Sequence, residues 1–166
     1  MLNKIDFENI VWEFLFTYRQ FLLDGYLHNR VNHAAYEANL ATWNTLLISL
    51  EKGFLLGLAR LLEREDDLGR TFNDGELDGI SKKIINLRHT IAHADLSKMR
   101  NMNSFLSENG LTGTEGVKMF DALKSRLIQY QKNFKFNIDI QSLFTQSQNN
   151  ALNDLDSWLK SFKIPL

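Results

Sequence analysis

Residues 5–23 read IDFENIVWEFLFTYRQFLL. Phe7, Ile10, Val11, Phe14, Leu15, Tyr18, Phe21 and Leu22 recur at steps of three and four. That spacing lays one apolar stripe along a helix and leaves the other faces polar. A strand would need alternation instead, so this stretch commits the start of the chain to an amphipathic helix, with Gly25 near its end. The same spacing returns from about Asn32 to Glu65, through Leu40, Trp43, Leu47, Leu50, Phe54, Leu58, Leu61 and Leu62. Gly53 and Gly57 fall inside that second helix and cost about 1 kcal/mol each relative to alanine. Close approach of a neighbouring helix is the expected compensation. A long antiparallel hairpin with the first helix is the natural packing.

Farther along, EDDLGRTFNDGELDG (65–79) reads as a polar, glycine-punctuated connection. A third helix is expected from about Leu77 to Ala94, and a loop over 101–116. Thr112-Gly113-Thr114-Glu115 has the form of a capping box. It introduces a fourth helix with Phe120, Leu123, Leu127, Tyr130 and Phe134 as its seam. FKFNIDI (134–140) alternates like a strand but has no partner strand, so it reads as an extended linker. A last helix sets Leu152, Leu155, Trp158, Leu159 and Phe162 on one side, with an irregularity expected around Ser147–Asn150. The sole proline is Pro165, so nothing interrupts the helices from within. The fold class is therefore all-α: an up-down bundle of four to five helices forming one domain over residues 1–166.

Composition narrows the chemistry. With 166 residues, 44% hydrophobic and 23% charged, the chain can bury a substantial core. The absence of cysteine excludes a disulfide framework, a thiolate zinc site and a cysteine nucleophile, and it fits a reducing cytoplasm. Asp6, Glu8 and Glu13 interrupt any apolar core of a secretory signal. The run Phe54–Ala59 is too short to span a bilayer. A net charge of −1 argues against a protein that coats nucleic acid in bulk.

The third helix carries the densest chemistry, in NLRHTIAHAD (86–95). At about 100° per residue, Ile84, Leu87 and Ile91 form one core stripe. His89 and His93, four apart, share a face turned away from it, and Arg88 lies on the flank. Arg88 and His93 are about 140° apart around the cylinder, so one straight helix does not aim both at one atom. A bend near His93, or a groove shared by two copies, would bring them together. Arginine offers a planar fork that matches phosphate oxygens, and histidine titrates near neutrality as an acid or base. Asp95 could cap the following turn or orient an imidazole. Between Ser81 and Arg100, Lys82, Lys83, Arg88, Lys98 and Arg100 face only Asp95, a local excess of +4 suited to a phosphate backbone.

The plainer readings are a solvated helix flank for Arg88 and His93 and a surface position for His89. His89 and His93 lack the further ligands of a recognised metal pattern, with Glu63, Asp66 and Asp67 the nearest acids, so no metal and no cofactor are expected. His28 and His33 read as surface or cap residues. Arg60, Glu63 and Arg64 read as helix-face charges that pair locally. Trp12, Trp43 and Trp158 read as core or interface.

Arg88-His89-Thr90-Ile91-Ala92-His93 resembles the Arg-x(4–6)-His signature of HEPN domains (higher eukaryotes and prokaryotes nucleotide-binding), with His89 as the polar residue after the arginine. IINLRHTIAHAD (84–95) resembles the form found in the abortive-infection AbiU-type branch. GLARLLERED (57–66) is similar to the helix that precedes the motif there, which makes Arg60 the residue to watch. The resemblance covers about Gly57–Asp95. It implies a metal-independent endoribonuclease fold, commonly a homodimer, in which the motif lines a cleft at the dimer interface. Arg88 and His93 would carry RNA cleavage to a 2′,3′-cyclic phosphate, with His89 assisting. Beside the resemblance, the local basic excess sets Lys82, Lys83, Lys98 and Arg100 as the residues to hold RNA. Toxin or phage-defence roles, with a neutralising antitoxin or regulatory partner, are what the resemblance implies biologically. Some members of the family are binding modules without catalysis, and that alternative stays open.

Overall fold

The computed structural model describes residues 3–30, 37, 40–64, 74–93 and 106–161, without the side chains of Arg30, His93 and Ser161. Five long helices account for most of them. They are α1 (Lys4–Arg30), α2 (Leu40–Glu63), α3 (Gly75–His93), α4 (Gly113–Phe134) and α5 (Ile140–Ser161). There is no strand among the described residues, and no helix there is long and apolar enough to cross a membrane.

Side-chain caps set four of the five starts. Asn3 accepts from the Asp6 N–H at 2.9 Å, Asp74 from the Glu76 N–H at 2.9 Å, and Asp139 from the Ser142 N–H at 3.0 Å. At α4 the capping box forms as expected. The Thr112 hydroxyl accepts from the Glu115 N–H at 3.2 Å, and the Glu115 carboxylate accepts from the Thr112 N–H at 2.7 Å. A cap of this kind contributes about 1 kcal/mol.

Packing follows the apolar stripes. Phe7, Ile10, Val11, Phe14 and Leu15 of α1 are buried, as are Ile84, Leu87 and Ile91 of α3. They join Phe54, Leu58 and Leu61 of α2, Phe120, Leu123 and Leu127 of α4, and Ile140 and Phe144 of α5 in the main core. A smaller core of Leu27, Trp43, Leu155 and Leu159 lies toward the C-terminal ends of α1 and α5. Each helix packs on the next in sequence, and α5 closes the ring against α1. Thr17 faces Gly57 and Gln20 faces Gly53, so α1 and α2 run antiparallel. Phe14 meets Phe144 and Arg19 meets Ser147, so α1 and α5 run parallel.

Helix α1 runs through Gly25 to Arg30, so Gly25 lies near its end as read, and Leu27 in the last turns enters the smaller core. One local expectation changes in α5. Helix α5 is uninterrupted across Ser147–Asn150. Ser147 is buried there, and its hydroxyl accepts from Arg19 Nε at 2.6 Å, so the polar run faces a partner instead of breaking the helix. Among the tryptophans only Trp43 is buried; Trp12 and Trp158 are exposed, Trp158 lying edge-on to Trp43. The linker after α4 forms no strand but is shorter than the 134–140 read from the sequence, because Phe134 and Ile140 belong to the flanking helices. It is turned by the Ile138 N–H donating to the Phe136 carbonyl and the Ile140 N–H to the Ile138 carbonyl. Lys135 turns the chain at φ 53°, and Phe136 stacks on Phe7 at 4.9 Å.

The two glycines of α2 do have a neighbour at close range. A Cβ on Gly57 would lie 2.3 Å from Thr17 Oγ1 and 2.9 Å from its Cγ2. Thr17 is 1% exposed and β-branched, and its hydroxyl is held by the Glu13 carbonyl at 2.9 Å, so it has little room to move. A Cβ on Gly53 would meet only the amide end of Gln20, a flexible and half-buried side chain. Gly57→Ala is therefore expected to destabilise by about 1–3 kcal/mol through overpacking. Gly53→Ala should be near neutral, since about 1 kcal/mol of helix propensity offsets a moved glutamine. Denaturant melts of the two variants measure the contrast, and equal losses would contradict it.

Candidate functional site

A cleft of about 570 Å³ opens where α1, α2 and α3 meet. Helix α1 lines it with Glu13, Phe16, Thr17 and Gln20, and α2 lines it with Gly53, Leu56, Gly57 and Arg60. Helix α3 contributes Arg88, His89 and Ala92. Gly53 and Gly57 form part of the cleft wall, where α2 passes close to Gln20 and Thr17 of α1. The α3 side chains reach it because Ile84, Leu87 and Ile91 anchor that helix by its opposite face.

The charges are organised across helices. Glu13 is mostly buried and places one carboxylate oxygen 3.2 Å from Arg60 Nε and the other 3.3 Å from Arg64 Nη2. The Arg60 contact is an ion pair without hydrogen-bond alignment, and Glu13 Oε1 is buried with no hydrogen-bond partner. Arg88 donates from Nη1 to Glu63 Oε2. The local pairing expected of Arg60, Glu63 and Arg64 is thus replaced by pairing from α2 to α1 and from α2 to α3. At these exposures a pair contributes up to about 1 kcal/mol, so the pairs orient side chains more than they stabilise the fold.

Of the expected site residues, Arg88 and His89 reach the cleft together. Helix α3 is described as far as His93, whose side chain lies outside the described residues, as do Lys98, Arg100, Asp95, Asp66, Asp67 and His33. Lys82 and Lys83 do not line the cleft. Lys82 pairs with Asp78 at 2.7 Å and Lys83 with Glu115 at 2.9 Å. Of the basic patch, the described cations each meet an acid, two of them on another helix. Glu13, Thr17 and Gln20 were not anticipated, and neither was the role of Glu63. The one sequence signal for them was the glycine pair four apart on α2.

No family model, no curated protein and no solved structure matches the chain.

A second polar cluster lies farther along the α1–α2 seam. Asp24 and His28 are one turn apart on α1, and Glu51 faces them from α2. His28 is exposed, as expected from the sequence, yet its ring meets both carboxylates. Its hydrogen bond to Asp24 raises the imidazole from the usual 6.5 to about 9. Burial, then the charge of Asp24, raises the Glu51 carboxyl from 4.5 to about 8, with His28 opposing. Both folded-state values exceed the unfolded ones. The stability linked to His28 is therefore complete below about pH 6.5 and lost as pH rises through 9. That linked to Glu51 is complete below about pH 4.5 and lost through 8. In EDTA-containing buffer, melting temperature should fall from neutral to alkaline pH. Glu51→Gln should melt higher than the parent near pH 8, with the gap closing toward pH 4.5; a constant gap would refute the linkage.

Proposed function

We propose that the chain is a metal-independent endoribonuclease of HEPN type. The observation that carries this reading is convergence: the two segments of the resemblance, 57–66 and 84–95, supply Arg60 from one and Arg88 and His89 from the other to a single cleft. In this reading the RNA 2′-hydroxyl attacks the adjacent phosphorus and the 5′-oxygen leaves, forming a 2′,3′-cyclic phosphate. His93 takes the proton of the attacking hydroxyl or returns one to the leaving oxygen. Arg88 neutralises the charge that builds on the phosphoryl oxygens. The incoming phosphate replaces Glu63 as the anion on Arg88, so Glu63 keeps the guanidinium in position until RNA arrives. The buried acceptor Glu13 Oε1 suits a hydroxyl or amino donor of the nucleotide. Lys82, Lys83, Lys98 and Arg100 hold flanking phosphates, and His89 assists at the cleft.

The site works as a pair of chains in this proposal. The angular separation of Arg88 and His93 favours a groove shared by two copies, and Trp12 and Phe16, 57% and 64% exposed, stand one turn apart beside the cleft. The cytoplasm, a toxin or phage-defence role and a neutralising antitoxin belong to the same proposal. A second reading, a non-catalytic module that binds nucleotide, RNA or a partner protein, is favoured by one observation. The carboxylates of Glu13 and Glu63 already pair with the arginines around the cleft.

Purified protein should cleave single-stranded RNA in EDTA and leave cyclic phosphate ends. His93→Ala and Arg88→Ala should each lower the rate at least about 100-fold, with unchanged helical content by circular dichroism. Undiminished cleavage in His93→Ala rejects the assignment. Absence of cleavage across varied RNAs, with nucleotide binding retained, selects the binding module. Light scattering at micromolar concentration should return the mass of a dimer; a monomer removes the shared cleft.

A further inference from the structure

We propose that Asp24, His28 and Glu51 form a binding site for one divalent transition-metal ion of the zinc class, clasping the C-terminal part of α1 to α2. Each residue offers one donor atom, and the three lie within 4.8 Å of one another. The helix repeat makes this arrangement rigid. Asp24 and His28 are four apart and share one face, and the antiparallel α2 brings Glu51 opposite them.

The imidazole is already oriented as a ligand. Its Nδ1 lies 3.0 Å from the Asp24 backbone carbonyl, which can accept the Nδ1 proton. Nε2 faces Glu51, 3.9 Å from Oε1, and an ion bound there would displace the Nε2 proton. Metal-bound histidines are commonly held this way, one nitrogen tied to a carbonyl and the other to the ion.

The carboxylates show an independent deficit. Glu51 is 6% exposed and accepts no hydrogen bond among the described residues; its nearest charged group is the 3.9 Å imidazole. Asp24 Oδ1 is also buried, and His28 Nδ1 at 3.4 Å faces it without hydrogen-bond alignment. A buried ionised carboxylate is costly unless paired or coordinated. One protonated imidazole supplies a single positive charge against two carboxylates, whereas a dication supplies two.

The donor set selects the class of ion. One nitrogen and two oxygens suit zinc and its neighbours. Calcium takes six to eight oxygens, more than this cluster offers. Tetrahedral zinc ligands sit about 3.4 Å apart at bonds of about 2.0–2.2 Å. Drawing the three atoms together by roughly 1 Å through side-chain rotation therefore closes the site, with the remaining position open to water. Gln20 and Gly53 at the near edge of the cleft lie about one turn from Asp24 and Glu51, whereas Glu13 at its arginine end lies about 16 Å from Asp24 along α1. The ion site is thus separate from the arginine end where the metal-free RNA chemistry is proposed.

The test uses the full chain stripped with EDTA and then dialysed free of chelator. Titration with cobalt(II) should give visible d–d absorption saturating at one ion per chain, and zinc should displace it. Zinc should also raise the melting temperature. Both effects should fall at least tenfold in apparent affinity in His28→Gln and in Glu51→Gln. His28 is exposed enough for its variant to fold, and the metal-free melt of each variant confirms folding. A cobalt spectrum and zinc shift unchanged in both variants would overturn the site. So would the absence of both signals in the parent protein at a hundredfold excess of metal, leaving a proton-bridged ion cluster in its place.

Discussion

The close approach of α1 and α2 is the constraint on which the rest of the molecule depends. Gly57 lets Thr17 come within a distance that no side chain at 57 would permit. That contact sets the lateral register of the hairpin, and the register then decides every pairing along the seam. Glu13 meets Arg60 and Arg64 at one end, Gln20 meets Gly53 in the middle, and Asp24 and His28 meet Glu51 at the other. A shift of one helical turn would separate all three groups together. The glycines cost helix propensity, and what they gain is a seam tight enough to hold polar groups in fixed relation.

The cleft combines this tight seam with a third helix anchored by its apolar stripe. Because α3 buries Ile84, Leu87 and Ile91, the residues between them are turned outward, and α2 sets Arg60 and Glu63 against them. The carboxylates of Glu13 and Glu63 hold the guanidinium groups without consuming them, since the pairs are partly exposed and individually weak. An anion of higher charge can exchange with such a carboxylate at little net cost.

Much of the architecture was legible from spacing alone. The α3 stripe and the first part of the α1 stripe, Phe7 to Leu15, became core, while Tyr18 and Phe21 are only partly buried against it. The Thr112–Glu115 cap formed as its sequence implied. These features depend on neighbours within one or two turns. Elsewhere local reading went astray for a common reason. Ser147 looked like a helix interruption because its partner, Arg19, is far away in sequence. Arg60, Glu63 and Arg64 looked mutually paired because helix spacing permits it; the burial of Glu13 on the facing helix offered two of them a better partner.

By itself the sequence determined the helical class, most of the face that α1 and α3 bury and the outward turn of Arg88 and His89. These follow from a period of 3.6 residues acting on the side chains of one segment. Leu40, Phe134 and Trp158 of the other expected stripes are instead exposed. Tertiary structure alone decided which helices share a groove, and therefore that Arg60 stands across from Arg88 while Lys82 and Lys83 pair elsewhere. It alone brought Glu51 to His28. Those outcomes rest on contacts between residues up to dozens of positions apart, where interhelical packing, not periodicity, sets the distance.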